Sequence, residues 1–248
     1  MRNTVDAPKI VFSHVSKKYN ELYAVHDVSL QIPKGAFVTV IGSSGCGKTT
    51  LLKMVNALLV PDEGDILIDG KNIAEMNKIE LRRNIGYAIQ EVGLFPHMNV
   101  RKNIAYVPGL SKQWDKARSR QEVERLAGMV GLDKDLLDRY PGELSGGQRQ
   151  RVGLARALAM NPDILLMDEA FSAVDEITRK FLQDEIKSVH EKMGMNIIFV
   201  THDVKEALKL GDIILIMDKG RIIQQGTAEE VWEHPANEFV KKLVCQAR

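Results

Sequence analysis

The chain has 248 residues, of which 44% are hydrophobic, and its 34 basic and 33 acidic residues leave a formal net charge of +1 at pH 7. That length fits one large α/β domain or a core with an inserted subdomain. The balanced charge excludes a strong field that would draw the protein onto nucleic acid or an anionic membrane, and two cysteines, Cys46 and Cys245, are too few for a disulfide framework or a zinc cluster.

The first third of the chain predicts short strands around a single helix. A helix is expected from Lys48 through Leu58, where Pro61 stops it. Asp69-Gly70 is a turn pattern. Apolar or alternating runs predict the strands Ile10–Phe12, Val28–Ile32, Phe37–Ile41, Ile66–Ile68 and Ile85–Ile89.

After Gln90 the chain becomes charged and helical up to residue 160, and strands then return. The expected elements are the strand Ile164–Met167, a helix with the apolar stripe Leu182, Ile186, Val189 and Met193, the strand Asn196–Val200, the helix Val204–Leu210, the strands Ile213–Met217 and Arg221–Gln225, and two short helices broken at Pro235. This alternation predicts a mostly parallel sheet with helices on its faces. No stretch approaches the ~20 apolar residues of a membrane span, so we expect a soluble, intracellular protein.

A glycine-rich loop follows the strand that ends at Ile41 and precedes the first helix. It matches the phosphate-binding pattern G-x-x-x-x-G-K-[ST] with Gly42, Ser43, Ser44, Gly45, Cys46, Gly47, Lys48 and Thr49. The loop's N–H groups and the helix N-terminus suit phosphate oxygens. Lys48 supplies a charge for the β- and γ-phosphates and Thr49 a hydroxyl for Mg²⁺. With the next residue, Thr50, these are the candidate ATP-binding residues.

Two carboxylates end the apolar strand Ile164–Met167. Strand C-termini are where open α/β sheets place their sites. Asp168 is suited to hold Mg²⁺ through water, and Glu169 to polarise an attacking water. The alternative is an acidic strand end without a role.

A third motif lies inside the helical block and consists of Leu144, Ser145, Gly146, Gly147 and Gln148. A serine hydroxyl and glycine N–H groups that open a helix, here Gly147 to Ala159, form a second anion site. A simple glycine turn that caps a helix is the plainer interpretation. This motif is similar to the signature sequence of the ABC ATPases. The resemblance to that family covers nearly the whole chain.

The resemblance implies a P-loop NTPase (RecA-like) fold with a mostly parallel sheet, an N-terminal antiparallel β subdomain and an inserted α-helical subdomain. We expect one ABC ATPase domain over 1–248. Its nucleotide-binding core comprises 1–92 and 161–226, its helical signature subdomain 93–160 and its C-terminal helical tail 227–248.

Four further residues take roles from the resemblance. Tyr19 resembles the aromatic that stacks on adenine, and Gln90 the glutamine that touches Mg²⁺ and the lytic water. Asp175 resembles the loop aspartate that acts across a dimer, and His202 the switch histidine near the γ-phosphate. In the family, the signature Ser145–Gln148 meets the nucleotide held by the other protomer.

Two positions depart from the family pattern. Ala170 stands where proline is usual, and Val174 where leucine is frequent. Neither change removes a donor, an acceptor or a charge, so they concern the stiffness of the loop.

The residues after Gln90, from Gly93 to Val100, are similar to those of ATPases from osmoprotectant importers for glycine betaine, choline or carnitine. Amino-acid, sulfonate and nitrate importers share much of this pattern, some exporters also use separate ATPase chains, and a non-transport ABC ATPase is the remaining alternative. Long members of the osmoprotectant group add a C-terminal pair of regulatory CBS domains, which a chain that ends at Arg248 would lack.

The resemblance also implies the partners. We expect a homodimer or a paired ATPase subunit, a transmembrane permease, and indirectly a periplasmic or lipid-anchored solute-binding protein, with no nucleic acid. The protein would then be cytoplasmic and peripheral on the inner face of the membrane. The segment from Phe95 to Val107 is expected to dock the permease through four apolar residues, Phe95, Met98, Val100 and Ile104. The alternative is that these residues pack inside the helical subdomain.

Overall fold

The computed structural model describes residues 7–89 and 92–245. The strands are β1 (Ile10–Tyr19), β2 (Leu22–Ile32), β3 (Phe37–Gly42), β4 (Glu63–Ile68), β5 (Lys71–Asn72), β6 (Ile85–Ala88), β7 (Ile164–Asp168), β8 (Asn196–Val200), β9 (Ile213–Asp218) and β10 (Arg221–Gly226). The helices are α1 (Lys48–Val55), α2 (Lys78–Arg83), α3 (Val100–Ile104), α4 (Tyr106–Leu110), α5 (Lys116–Met129), α6 (Gly146–Leu158), α7 (Glu176–Met193), α8 (Val204–Leu210), α9 (Ala228–Glu233) and α10 (Glu238–Cys245).

These elements fall into two compact units. The first takes its described residues from Met1–Arg82 and Gly194–Arg248, and the second is Arg83–Met193. In neither unit do the described residues include a helix of the length and apolar character that crossing a bilayer requires.

The first unit holds an antiparallel sheet of order β2-β1-β4-β5. It also holds the neighbouring strands β10-β9-β3-β8, in which β3 runs parallel to both β8 and β9. Strands covered on both faces are expected to be continuously apolar, and β3 and β8 are buried over Phe37–Ile41 and Asn196–Val200. The tail helices α9 and α10 close this unit, because Val231, Val240 and Val244 pack with Ile214 and Ile216 of β9.

The second unit pairs β6 with β7 in parallel and packs its helices around α6. Ile85 lies opposite Ile164, and the register runs on to Ala88 opposite Met167. Within α6, the residues Val152, Leu154, Ala155 and Leu158 are buried. The long helix α7 buries Leu182, Ile186 and Val189, as predicted.

Several predicted boundaries were wrong. The first helix ends at Val55 and not at Leu58, because Ala57 adopts a left-handed conformation (φ 53°) and the N–H groups of Leu58 and Leu59 turn back to the carbonyl of Lys53. A left-handed residue that returns N–H groups to the last turn is a common helix stop. The helix therefore ends before Pro61 acts.

Three smaller corrections follow from local geometry. The first strand extends from Ile10 to Tyr19, because its polar half still pairs with β2 across several register shifts. Helix α6 begins at Gly146, one residue before the prediction, since Ser145 caps it. Met193 closes α7 and is 45% exposed, so the buried stripe ends at Val189.

Candidate functional site

The phosphate loop lies between β3 and α1 and is enclosed by two strands of the first unit. Gly47 has φ 106°, and a Cβ there would lie 1.9 Å from the carbonyl oxygen of Ala24 on β2. At Gly42, a Cβ would lie 2.0 Å from the carbonyl oxygen of Met217 on β9. Only glycine fits at these two positions, which explains why the loop needs this sequence.

Lys48 is the first residue of α1, and its ammonium group lies inside the loop. The residue is 8% exposed. Its Nζ donates hydrogen bonds to the carbonyl oxygens of Gly42 at 3.0 Å and Ser43 at 2.9 Å, and it lies 3.7 Å from Cys46 Sγ. Because these groups are uncharged and a buried charge is costly without a counter-charge, the loop suits an anionic ligand.

A tight turn between β9 and β10 braces the loop. Ser43 Oγ donates to Asp218 Oδ1 at 2.8 Å, and Gly220 N–H donates to the carbonyl of Cys46 at 3.1 Å. In the sequence, residues 218–220 only separate two predicted strands. Their supporting role depends on contacts between distant residues, and no local pattern indicated it.

His202 lies at the same sheet edge as the phosphate loop. Parallel strands place their C-terminal ends together, and Val200 of β8 lies opposite Val40 of β3. The exposed His202 follows a buried Thr201, whose hydroxyl donates to Glu206 Oε2 at 2.6 Å. Asp203 then caps α8. His202, two residues beyond the end of β8, thus lies between Thr201, which hydrogen-bonds Glu206, and Asp203, which caps α8.

Tyr19 ends β1 and pairs with Leu22 at the start of β2. It is 50% exposed, so much of its side chain is accessible. Stacking of a nucleobase on an exposed aromatic contributes roughly 1–3 kcal/mol, and Tyr19 is accessible for it.

In the second unit, β7 carries the two predicted carboxylates to its end. Asp168 is 7% exposed. Glu169 adopts a left-handed conformation with φ 48°, which is unusual for a residue other than glycine and clusters at functional sites. The chain therefore turns sharply between them. Carboxylate oxygens of this kind are hard ligands that suit Mg²⁺.

The predicted anion motif opens α6 with a reciprocal cap. Gln148 N–H donates to Ser145 Oγ at 3.2 Å, and Ser145 N–H donates to Gln148 Oε1 at 2.8 Å. Leu144 is buried, whereas Gly146 and Gly147 are half-buried. Ser145, and not a glycine turn, therefore caps α6, since Gly146 and Gly147 already belong to the helix. Helix N-termini of this kind also suit anions.

Gln150 ties the start of α6 to the loop that follows Glu169. Its Nε2 donates to Ser172 Oγ at 3.2 Å, and its Oε1 accepts from Ala173 N–H at 3.0 Å. The residue is 5% exposed. Sequence reasoning missed Gln150, because a glutamine two residues beyond the motif carries no local signal.

The same loop contains the two departures from the family pattern and Asp175. Ala170 and Val174 are 5% and 4% exposed and fill apolar space. Asp175 Oδ1 accepts the N–H of Thr178 at 3.0 Å. Backbone and side-chain hydrogen bonds from Thr178 lower the pKa of Asp175 below its usual value. Asp175 is thus an ionised cap of α7.

Gln90, the predicted Mg²⁺ and water contact, lies outside the described residues. The segment after it is anchored to α6, because Arg156 donates to the carbonyl oxygens of Val92 at 2.7 Å and Gly93 at 3.0 Å. Phe95 packs against Tyr106 with the ring centroids 4.4 Å apart. These contacts hold residues 92–95 against α6 and α4.

The buried Asn103 shapes the proposed docking segment. Its side chain accepts from Phe95 N–H and donates to the carbonyl oxygens of Phe95, Met98 and Asn99. Val100 and Ile104 are both 0% exposed. The prediction that these two dock a partner was therefore wrong, and only the half-buried Phe95 and Met98 retain surface for contact.

Comparison with known proteins shows which family has a similar sequence. A family model described as ABC transporter matches residues 25–172. The glycine betaine/carnitine/choline transport ATP-binding protein OpuCA of Bacillus subtilis (strain 168) is 50% identical over 225 residues, which cover 91% of this chain and 59% of that protein. The glycine betaine uptake system ATP-binding protein YehX of Escherichia coli (strain K12) is 48% identical over 234 residues, 94% of this chain and 76% of that protein.

Several curated relatives are longer than this chain, which spans about three fifths of the length of OpuCA and similar proteins. Among solved structures, an ATP-binding cassette determined as a dimer in a post-hydrolysis state with ADP and Pi superposes with a TM-score of 0.83 at 30% identity. The match covers 88% of this chain and 98% of that one. The predicted α/β P-loop fold is thereby confirmed.

Proposed function

The chain belongs to the ABC transporter family, and we propose that it is the ATP-hydrolysing subunit of an importer for a small quaternary-amine solute. Glycine betaine, choline or carnitine is the proposed cargo, because relatives near 50% identity carry those names. The observation that carries the ATPase proposal is the buried Lys48 inside a loop that requires glycine at positions 42 and 47.

The phosphate loop would bind the nucleotide. Its N–H groups and Lys48 match the charge of the β- and γ-phosphates, and the exposed Tyr19 would hold the adenine. By the family resemblance, Thr49, Gln90 and Asp168 would supply the hard oxygen atoms that Mg²⁺ prefers. When bound, the metal supplies charge neutralisation for the phosphates.

Hydrolysis would be carried by two side chains at strand ends. Glu169 would orient the attacking water and take its proton, and His202 would steady that water. The left-handed conformation of Glu169 (φ 48°) supports this role because such backbone strain clusters at functional sites. A positioned base of this kind typically contributes ~10²–10⁴-fold to the rate.

Transport would require a second ATPase subunit and a permease. Ser145–Gln148 would contact the nucleotide bound by the partner ATPase subunit, and Asp175 would act across the same dimer. Closing around ATP and opening after hydrolysis would drive a permease loaded by a solute-binding protein. The protein would then lie on the cytoplasmic face of the membrane.

The solute assignment is tested by uptake of labelled glycine betaine. Cells that lack their own glycine betaine uptake would express this chain with the permease and solute-binding genes that neighbour it. We expect uptake with the native chain and none with the Lys48→Ala variant, because that change removes the cation buried in the loop. Uptake of an amino acid, a sulfonate or nitrate instead would replace the solute assignment and leave the ATPase proposal standing.

A further inference from the structure

Tyr87 carries a hydroxyl group that the packing of its strand does not require. It lies on β6 between the buried residues Gly86 and Ala88. Its hydroxyl oxygen is itself buried and has no hydrogen-bond partner among residues 7–89 and 92–245. Leaving a buried polar group unsatisfied is destabilising, a cost that phenylalanine would avoid.

The strand register places this side chain beside Asp168. Tyr87 lies opposite Leu166 in the parallel β6–β7 pair. Side chains two residues apart along a strand share a face, so Asp168 lies on the same face as Leu166 and is the diagonal neighbour of Tyr87. Diagonal neighbours on one face of a sheet are within reach of a long aromatic side chain.

The electrostatics agree with this placement. Burial raises the pKa of the Tyr87 hydroxyl well above its ordinary value, and the carboxylate of Asp168 raises it further. The influence of Asp168 on this pKa agrees with the placement of the two residues near each other that the strand register gives. Asp168 itself is 7% exposed, so the two groups share a region with little solvent.

We propose that Tyr87 is a positioning residue for Asp168: its hydroxyl donates a hydrogen bond to a water molecule that the Asp168 carboxylate also holds. A bridging water follows from the geometry, because the hydroxyl makes no direct hydrogen bond to the described residues and buried waters typically link such groups. This inference rests on the proposed function, in which Asp168 meets Mg²⁺ through water. Tyr87 would then orient the water that faces the metal.

The test uses Tyr87→Phe, which removes only the hydroxyl and keeps the ring that packs on the strand. Mn²⁺ serves as the probe, and its binding in the presence of ATP is measured from the spin-resonance signal of the free ion. Loss of a group that orients a metal's surroundings typically weakens affinity about tenfold or more. We expect ~10-fold weaker Mn²⁺ binding, a lower kcat with little change in KM for ATP, and unchanged ATP binding in EDTA.

The control is Tyr140→Phe, which removes the hydroxyl of an exposed tyrosine in the same unit. It should leave Mn²⁺ binding as in the native chain. Combining Tyr87→Phe with Asp168→Asn provides a second measurement. The double variant should bind Mn²⁺ as Asp168→Asn alone does, since the hydroxyl acts only through that carboxylate.

Two results would overturn the inference. One is native Mn²⁺ affinity in Tyr87→Phe together with a raised melting temperature, which would mark the hydroxyl as an unsatisfied group without a role. The other is a full additional loss of Mn²⁺ binding in the double variant, which would separate Tyr87 from Asp168. If the native chain bound no Mn²⁺ with ATP and hydrolysed none, the proposed function would fail first and the role of Tyr87 with it.

Discussion

Replacing Gly47 by alanine tests the geometry of the phosphate loop. The added Cβ would lie 1.9 Å from the carbonyl oxygen of Ala24, against an ordinary contact of 3.4 Å or more. Because the clash is with backbone, the loop must move by roughly 1.5 Å. A misplacement of about 1 Å can cost 10²-fold where groups must be positioned, so we expect ATP affinity to fall about 100-fold.

Gly45→Ala is the matched control from the same loop. Gly45 is also left-handed (φ 75°), but a Cβ there would meet nothing within 4 Å. Both variants carry the strain of a left-handed alanine, roughly 1–2 kcal/mol, so both melting temperatures should fall by at least a few degrees, and that of Gly47→Ala should fall further. Only Gly47→Ala adds the clash.

Calorimetric titration with ATP, after circular dichroism has shown that both variants are folded, separates the two effects. Gly45→Ala should stay within about tenfold of the native affinity, an energy difference of about 1.4 kcal/mol. Equal affinities for the two variants would refute the argument that the approach of Ala24 dictates glycine at this position.

Two further predictions concern the assembly. Mixing Lys48→Ala subunits with Ser145→Arg subunits should restore part of the ATPase activity, because only a mixed dimer would keep one intact shared site. Replacing Met98 by aspartate should spare folding and ATP binding but uncouple solute uptake, since the half-buried Met98 lies in the segment that follows Gln90.

Each of these experiments has a control and an outcome that would contradict it. ATPase activity in either homodimer alone would argue against shared sites. For docking, Val100→Asp is the contrasting variant, because Val100 is 0% exposed and its replacement should unfold the protein. If the folded Met98→Asp variant supported uptake at the native rate, the hypothesis that Met98 contacts the permease would be wrong.

The sequence predicted those parts of the site that depend on neighbouring residues. The phosphate loop is one such part, because its glycines, its lysine and its threonine all lie within the consecutive residues Gly42 to Thr49. The start of α6 is another, since the serine and glycines that open it are adjacent in the sequence, although the reciprocal cap of Ser145 and Gln148 was not predicted. The short apolar strands β7 and β8 were also found, because parallel strands covered on both faces are continuously apolar.

Features that depend on distant contacts could not be predicted. Asn103, Gln150 and the Asp218 turn act through partners that only the fold brings near. The left-handed Ala57 ends α1, but alanine at this position gives no sequence signal for a helix end, as glycine or proline would. The position of Tyr87 beside Asp168 required the register between β6 and β7, which hydrophobic patterning does not specify.

The measurement that tests the central claim most directly compares Glu169→Gln with the native chain in MgATP hydrolysis and ATP binding. The substitution keeps the shape of the side chain and removes the base, so kcat should fall ~10²–10⁴-fold while ATP still binds and holds the dimer closed. Glu176→Gln, which removes an exposed carboxylate paired with Lys180 in the same unit, should hydrolyse ATP like the native protein. Turnover close to the native rate by Glu169→Gln would contradict the account.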